Sequence, residues 1–162
     1  MILLWKEVHL KNDYERSRIE SELEIKSYLD RLKYALLKGA RIDWQVTRAV
    51  DRNRNPRFTN WYTMQTLFPG GDAPDVLRRE LQILTTGDYI QTVKDTRYPN
   101  RSEMREFGKV YNDRDDVYIK LRVELLGKYG DTVIFVMSFH FSDKPFTENR
   151  FPYRKKGESL HG

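Results

Sequence analysis

Two alternating patterns in the last third of the chain are its clearest structural signal. Apolar residues recur at every second position from Asp116 to Ser142, apart from a short polar break near Gly127–Asp131. Period two is typical of strands that bury one face. The pattern predicts a β-hairpin with apolar rows Val117, Ile119, Leu121, Val123 and Leu125 on one strand and Val133, Phe135, Met137, Phe139 and Phe141 on the other.

The opposite face of this hairpin is polar, with Tyr118, Lys120 and Arg122 on the first strand and Ser138 and His140 on the second. A slip of one residue would turn an apolar row outward, so only registers that keep the parity are allowed. A loop over Leu126–Thr132 places Tyr118 opposite His140 and Lys120 opposite Ser138. A loop two residues shorter places Tyr118 opposite Ser138. Cross-strand and diagonal neighbours are roughly 4.5–8 Å apart, so either register keeps the cluster together.

The residues before the hairpin show mainly helical patterns. A broad apolar stripe with charges between its members predicts a long first helix, which Gly39 ends. The sequence leaves the secondary structure of two segments undecided. Residues Ile42–Asp51 form either a short helix or irregular structure, and the aromatic segment Phe58–Phe68 is either extended or of another type. The predicted elements are helices over Ser17–Lys38, Pro74–Leu84 (capped by Asp72 or Asp75) and Asp88–Asp95, and a strand over Glu106–Tyr111.

Helices that precede strands along a chain indicate an α+β fold. We expect N-terminal helices packed on a C-terminal antiparallel sheet of about three or more strands. The length of 162 residues suits a single domain over 1–162. The two ends, 1–16 and 143–162, are expected to be peripheral, with a coil after Ser142.

Composition narrows the setting of the protein. Lys plus Arg number 29 against 24 acids, a net charge of +5, which permits an acidic partner such as nucleic acid. Cysteine is absent, which excludes disulfides and thiolate metal sites and suits a reducing cytoplasm. No apolar run approaches the about 18 residues of a membrane span, and the N-terminus lacks a signal-peptide core. We therefore expect a cytoplasmic protein without a membrane partner.

The polar face of the hairpin suggests a way to cut RNA without a metal ion. A base removes the proton of the 2′-hydroxyl, a cation stabilises the phosphate, and an acid protonates the leaving oxygen. His140 suits both proton roles because an unperturbed imidazole has a pKa of about 6.5. Lys120 and Arg122 are candidates for stabilising the phosphate, and Tyr118 for positioning it or stacking on a base. The alternative is an ordinary solvated sheet face.

Two further regions are candidates for holding a substrate. A basic and aromatic stretch suits binding of a nucleic-acid backbone, although a solvated turn next to a core aromatic strand explains it as well. Its members are Arg48, Arg52, Arg54, Arg57, Trp61 and Tyr62. The predicted helix over Asp88–Asp95 places Gln91 and Lys94 one turn apart on one face. No spacing of histidines or carboxylates indicates a metal site, and no glycine pattern indicates a phosphate loop, so no cofactor is expected.

Several short islands resemble the MqsR family of bacterial toxins. They are, in chain order, Leu29–Gly39, the segment RIDWQVTR, Leu84–Tyr89, Phe107–Tyr111, Val117–Leu121 and Val136–Phe139. The resemblance covers roughly residues 29 to 141. It implies a RelE-like fold, cleavage of messenger RNA as part of a toxin–antitoxin pair, and a cognate antitoxin that covers the basic face.

The resemblance also assigns individual positions. The family tyrosine falls on Tyr118, and the basic residue after Ser-Phe falls on His140, where an imidazole replaces a lysine. The family lysine on the helix falls on Gln91, with Lys94 one turn on, and the family glutamine falls near Gly108, so both of those groups are changed. Catalytic candidates are thus His140, Tyr118 and Lys120. The substrate-binding candidates are Arg122, Lys94, Gln91, Ser138 and Lys109.

The sequence therefore predicts a metal-independent endoribonuclease toxin that acts on single-stranded RNA. A non-catalytic regulator or inhibitor, which holds a protein partner on the same sheet face, is the alternative from another class. A DNA-binding helix-turn-helix over the helices near residues 74 to 95 is a third, which the few basic residues of the second helix disfavour.

Overall fold

The structure, a computed structural model, describes residues 14–126 and 131–155. The tip of the predicted hairpin loop and the outer parts of both predicted peripheral ends lie outside the described residues. Three α-helices and six strands are present in the described ranges. In chain order they are β1 (Glu15–Arg18), α1 (Glu22–Leu37), β2 (Arg41–Trp44), α2 (Asn60–Leu67), α3 (Ala73–Gln82), β3 (Tyr89–Asp95), β4 (Met104–Tyr111), β5 (Asp115–Leu126) and β6 (Asp131–Phe141).

All six strands form one sheet in the order β1-β3-β4-β5-β6-β2. Neighbours are antiparallel except β2, which runs parallel to β6 with Ile42 beside Ile134. The predicted α+β class is confirmed. The expected antiparallel sheet is instead a mixed sheet, because the chain crosses over from β2 at one edge through the helices to β3 near the other.

The first helix begins later than its apolar pattern predicts. Ser21 caps it by accepting a hydrogen bond from the Glu24 N–H, so the predicted start at Ser17 is wrong. Residues 15–18 instead pair with β3 as an edge strand, and Ile19 is 55% exposed. The buried stripe consists of Ile25, Tyr28, Leu29, Leu32, Ala35 and Leu36.

The predicted helix over Asp88–Asp95 is wrong, since these residues form β3. Asp88 is not the N-cap of a helix: it is the last residue of a short 3₁₀ turn, Thr86–Asp88, whose N-cap is Thr85. Its carboxylate accepts from the Thr85 N–H at 2.9 Å and so completes a capping box. The strand that follows is rich in β-branched residues and hydrogen-bonds to a neighbour on each side. Pairing with two neighbouring strands therefore outweighs the local helical pattern. The DNA-binding helix-turn-helix alternative is excluded, because its second helix is a strand.

The structure also decides the secondary structure of the two segments that the sequence left undecided, Ile42–Asp51 and Phe58–Phe68. Ile42 lies in β2, and a 3₁₀ turn follows over Ala49–Asn53. The aromatic segment is helical rather than extended, because α2 starts at Asn60 after a Thr59 cap. The helix predicted over Pro74–Leu84 is confirmed as α3, with Asp72 as its cap.

One apolar core lies between the three helices and one face of the sheet. The β5 residues Val117, Ile119 and Leu121 are fully buried there. The other face carries the polar row and is partly covered by the tail after Ser142, where Phe146 and Phe151 are buried against Ile90 and Tyr118. Within the described ranges, no helix is both long and apolar enough to cross a membrane.

Candidate functional site

The register of the hairpin brings the polar row together as predicted. Tyr118 pairs with His140 and Lys120 with Ser138, as the predicted loop over Leu126–Thr132 requires. The predicted bounds of that loop are wrong, because Leu126 pairs with Asp131 and Leu125 with Thr132. The ring centroids of Tyr118 and His140 are 5.5 Å apart. The two side chains therefore share the sheet face opposite the helices.

A β-bulge beside Lys120 changes the parity of β6. Leu121 pairs with Val136 although Lys120 pairs with Ser138, so Met137 is the extra residue. The predicted apolar row is wrong before the bulge: Ile134 and Val136 are buried, and Phe135 and Met137 are not. Phe135 lies on the polar face, where the Arg122 guanidinium is 4.3 Å from its ring centroid.

Helix α2 holds the bulged part of β6. Strand β2 pairs with β6 only as far as Val136. Beyond it the Asn60 amide donates to the Met137 carbonyl at 2.9 Å and accepts from the Phe139 N–H at 2.9 Å. The Thr63 hydroxyl accepts from the Phe141 N–H at 2.8 Å. Side chains of a helix thus replace a neighbouring strand along the segment that presents Ser138 and His140.

A pocket of about 280 Å³ opens on the polar face around His140. Its walls come from three places: strands β5 and β6, the irregular segment between β2 and α2, and the tail. The lining residues are Arg48, Arg54, Tyr118, Lys120, Met137, Ser138, His140, Ser142, Asp143 and Arg150. Four of them are cations and one is a carboxylate, so the pocket suits an anion.

The imidazole of His140 is held in one tautomer. Its Nδ1 lies 2.9 Å from the Phe141 carbonyl oxygen. A carbonyl can only accept, so in the neutral ring Nδ1 carries the proton and Nε2 keeps a lone pair. Burial lowers the pKa of His140, and the guanidinium groups of Arg54 and Arg48 lower it further. Near neutral pH the ring is therefore a base with a free Nε2.

The guanidinium groups around His140 are largely available. Arg54 donates to the Phe58 carbonyl at 3.3 Å and lies 3.9 Å from Asp51. The Asp51 carboxylate accepts from the Arg48 backbone N–H at 2.9 Å, but among the residues that the structure describes no carboxylate lies within 4 Å of the guanidinium of Arg48 or of Arg150. Burial lowers the pKa of Arg48, as does the Arg54 charge, yet an arginine stays protonated at neutral pH. Within the described residues, the guanidinium groups of Arg48 and Arg150 therefore form no ion pair, and that of Arg54 forms only a long one.

Tyr118 is tied to a buried carboxylate, Glu106 of β4. Glu106 is 4% exposed, and its burial raises its pKa. Its carboxylate also accepts from the Gln91 amide at 3.2 Å. Burial and the neighbouring negative charge of Glu106 raise the pKa of Tyr118 well above its usual value. The phenol hence stays protonated at neutral pH and can donate a hydrogen bond but not act as a base.

Lys120 has two carboxylate neighbours, although it lines the pocket. Its Nζ lies 3.5 Å from Glu15 and 3.9 Å from Glu106. These partners neutralise much of its charge. Lys120 is therefore less suited to stabilising a phosphate than the sequence predicts.

The substrate-binding candidates fall in different places. Arg122 lies on the polar face but bonds Glu124 at 2.8 Å and does not line the pocket. Ser138 is buried and does line it. Gln91 supports Glu106 from β3, and the helix face that it was expected to share with Lys94 does not exist.

Lys94 and Lys109 lie outside the pocket. The Lys94 ammonium donates to the carbonyls of Pro99 and Arg101, so it closes the loop between β3 and β4. Lys109 pairs with the core residue Val117 across the sheet, which places it on the helix side. There its ammonium lies 3.3 Å from Asp88. Neither lysine can assist His140 directly.

Sequence reasoning missed Glu106 and Arg150. For Glu106, the only indication in the sequence is a single acidic residue inside the predicted strand Glu106–Tyr111. The tail carries two phenylalanines five residues apart, which is a signal of burial. They pack where Gly108 leaves room, since a Cβ there would lie 2.8 Å from Phe146 and 2.9 Å from Phe151. That packing brings Arg150 to the pocket.

Among the described residues, no three His, Cys, Asp or Glu side chains lie close enough together to hold a metal ion. No protein-family model matches the chain, and neither a curated protein nor a solved structure matches it significantly.

Proposed function

We propose that this protein is a metal-independent endoribonuclease that cleaves single-stranded RNA in the pocket around His140. The observation that carries the proposal is a neutral imidazole with a free Nε2 among the guanidinium groups of Arg48, Arg54 and Arg150. Of these three groups, only the Arg54 guanidinium has a carboxylate of the described residues within 4 Å, that of Asp51 at 3.9 Å. A base next to cations is the arrangement that RNA cleavage through the 2′-hydroxyl requires.

The reaction follows from the groups of the pocket. The Nε2 of His140 takes the proton of a 2′-hydroxyl, and the 2′-oxygen forms a bond to phosphorus. Arg48, Arg54 and Arg150 stabilise the extra charge on the phosphate. The bond from phosphorus to the 5′-oxygen then breaks, and the imidazolium returns its proton to that oxygen. The products are a 2′,3′-cyclic phosphate and a 5′-hydroxyl.

Tyr118 positions the phosphate rather than moving a proton. Its raised pKa keeps the phenol protonated, and Glu106 orients it. Its ring, 5.5 Å from that of His140, offers a stacking surface for a base. Ser138 can donate from the floor of the pocket.

The proposal extends to the biological class that the sequence resemblance implies, an MqsR-type toxin of RelE-like fold. The islands Val117–Leu121 and Val136–Phe139 lie next to each other on β5 and β6, so the resemblance and the pocket concern the same place. A cognate antitoxin and a cytoplasmic location belong to this proposal.

The test uses an end-labelled single-stranded RNA in excess EDTA, beside an oligodeoxynucleotide of the same sequence. We expect RNA fragments that end in a 2′,3′-cyclic phosphate and an intact DNA strand. Uncut RNA, or equal cutting of the DNA, would refute the proposal, since the attacking 2′-hydroxyl is absent from DNA.

A further inference from the structure

A second concave surface lies on the other side of the sheet from His140. It is a groove of about 1130 Å³ between the second half of α1 and the far end of the β5–β6 hairpin. Val123, which lines it, continues the buried row of Val117, Ile119 and Leu121, so the groove is on the helix side. A ligand there would leave the His140 pocket open.

Large apolar side chains are exposed in this groove. Leu125 is 73% exposed and Tyr34 is 64% exposed, and both line the groove beside the partly buried Val123. Leu125 lies on the helix side of β5, so its exposure shows that no helix covers the far end of this strand. Large apolar side chains exposed in a groove are typical of a binding site.

The rim of the groove is basic. Arg31, Lys38 and Arg41 line it, and within the described part of the chain no carboxylate lies within 4 Å of any of the three. Of the two acids in the lining, Asp30 is engaged by Lys26 at 3.5 Å, which leaves only Asp131. The rim therefore offers positive charge without a partner.

Size and chemistry together indicate the occupant. The volume exceeds the about 300–1,000 Å³ of small-molecule sites, which favours a peptide segment. An apolar floor with a cationic rim is complementary to a helix with one apolar face and acidic flanks. We propose that the groove binds an acidic amphipathic segment of a partner protein. This surface is independent of the proposed cleavage chemistry.

The test is fluorescence anisotropy with a labelled 18-residue peptide that has Leu at helical spacing and Glu on the other face. A scrambled peptide of the same composition is the ligand control. The groove variant is the triple Arg31→Glu, Lys38→Glu and Arg41→Glu, and Leu125→Ser is a second variant at an exposed site. A matched triple, Arg52→Glu, Arg79→Glu and Arg114→Glu, changes the net charge equally outside the groove.

We expect saturable binding of the amphipathic peptide, weakened at least about tenfold by the groove triple and by Leu125→Ser, and within about twofold of wild type for the matched triple. Circular dichroism checks that each variant is folded. No binding, equal binding of the scrambled peptide, or equal weakening by both triples would overturn the proposal. Two further outcomes would overturn the proposal. Displacement of the peptide by single-stranded RNA would identify RNA as the occupant of the groove, and a dimer that the groove triple abolishes would identify a second copy of the chain.

Discussion

His140 differs from an ordinary exposed histidine because three of its surroundings act on one ring. The Phe141 carbonyl selects the tautomer, burial opposes the charged form, and two arginines oppose it further. The arginines that would hold a phosphate thus also keep the base neutral. This coupling makes the pKa of His140 a direct probe of the pocket.

Replacing Arg54 by Gln should raise the pKa of His140 towards the ordinary value of about 6.5. The reason is that one positive charge beside the imidazole is removed while its burial remains. In wild type the pKa lies below that value, so the protonated ring appears only at more acidic pH. An NMR titration of the imidazole carbons measures both values, and Arg114→Gln, at an 81% exposed site, is the control. An unchanged or lower pKa in Arg54→Gln would contradict this account.

The low pKa also has a consequence for stability. An unfolded His140 binds a proton near pH 6.5, whereas the folded one binds it only at lower pH. The free energy of unfolding therefore decreases as the pH falls through that interval, and this loss of stability is absent above it.

The element that decides the site is the second half of β6, where strand pairing gives way to helix side chains. Alternation alone places Phe135 and Met137 in the core, because a pattern of period two contains no sign of a bulge. The bulge forms where Asn60 and Thr63 of α2 bond to the backbone beyond the end of β2. It moves Phe135 and Met137 to the polar face and leaves Tyr118 opposite His140.

Replacing Asn60 by Ala should destabilise the protein by about 3 kcal/mol. The amide is 1% exposed, and its loss leaves the Met137 carbonyl and the Phe139 N–H buried without those partners. Urea denaturation measures the change. Gln65→Ala, at an exposed position of the same helix, should stay within about 0.5 kcal/mol of wild type. Equal effects of the two variants would show that Asn60 does not hold the bulge.

How far the sequence determines these elements depends on where their signals lie. The pairing of Tyr118 with His140, and α3 with its cap Asp72, follow from local patterns and are confirmed. The predicted register is wrong beyond the bulge, and the predicted stripe of α1 is buried in its middle but exposed at Leu23 and Leu37. The strand over Asp88–Asp95 depends on partners distant in sequence, β1 and β4, so local capping signals favoured a helix. For the same reason Arg150 and Glu106 could not be placed at the pocket, because tail packing on Gly108 and the β4–β5 register bring them there.

At the scale of the whole molecule, one buried ion pair joins distant parts of the chain. Glu20, 5% exposed, lies between β1 and α1 and receives the Arg105 guanidinium at 2.9 and 3.0 Å. Its carboxylate also accepts from Thr92, and its carbonyl accepts from the Tyr153 hydroxyl. The start of the fold, the middle of the sheet and the tail therefore meet at Glu20.

Replacing Arg105 by Met should cost about 3–5 kcal/mol at neutral pH, because Glu20 is left charged and buried without its main partner. Burial alone would raise the pKa of Glu20, but hydrogen bonds from Arg105 and Thr92 outweigh it and lower the pKa. The pair hence stabilises above the unfolded pKa of about 4.3 and is lost as the pH falls through the lower folded value.

The deficit of the Arg105 variant should therefore shrink in acid. The exposed pair Arg97–Asp95, at 2.7 Å, supplies the comparison: Arg97→Met should destabilise the protein much less than Arg105→Met, because solvent screens this pair. Urea denaturation at pH 7 and pH 3.5 measures both variants. A deficit of Arg105→Met that is as small as that of Arg97→Met would refute a structural role for the buried pair.

The central claim is that the pocket around His140 cleaves RNA, and a single-turnover cleavage rate in EDTA tests it most directly. Wild type, His140→Ala and Lys109→Ala are compared on one single-stranded RNA. Lys109 lies on the opposite face of the sheet and serves as the matched control. The account predicts that His140→Ala lowers the rate about 100-fold or more and that Lys109→Ala leaves it within a few-fold of wild type. A His140→Ala protein that is folded and cuts RNA at the wild-type rate would contradict the account.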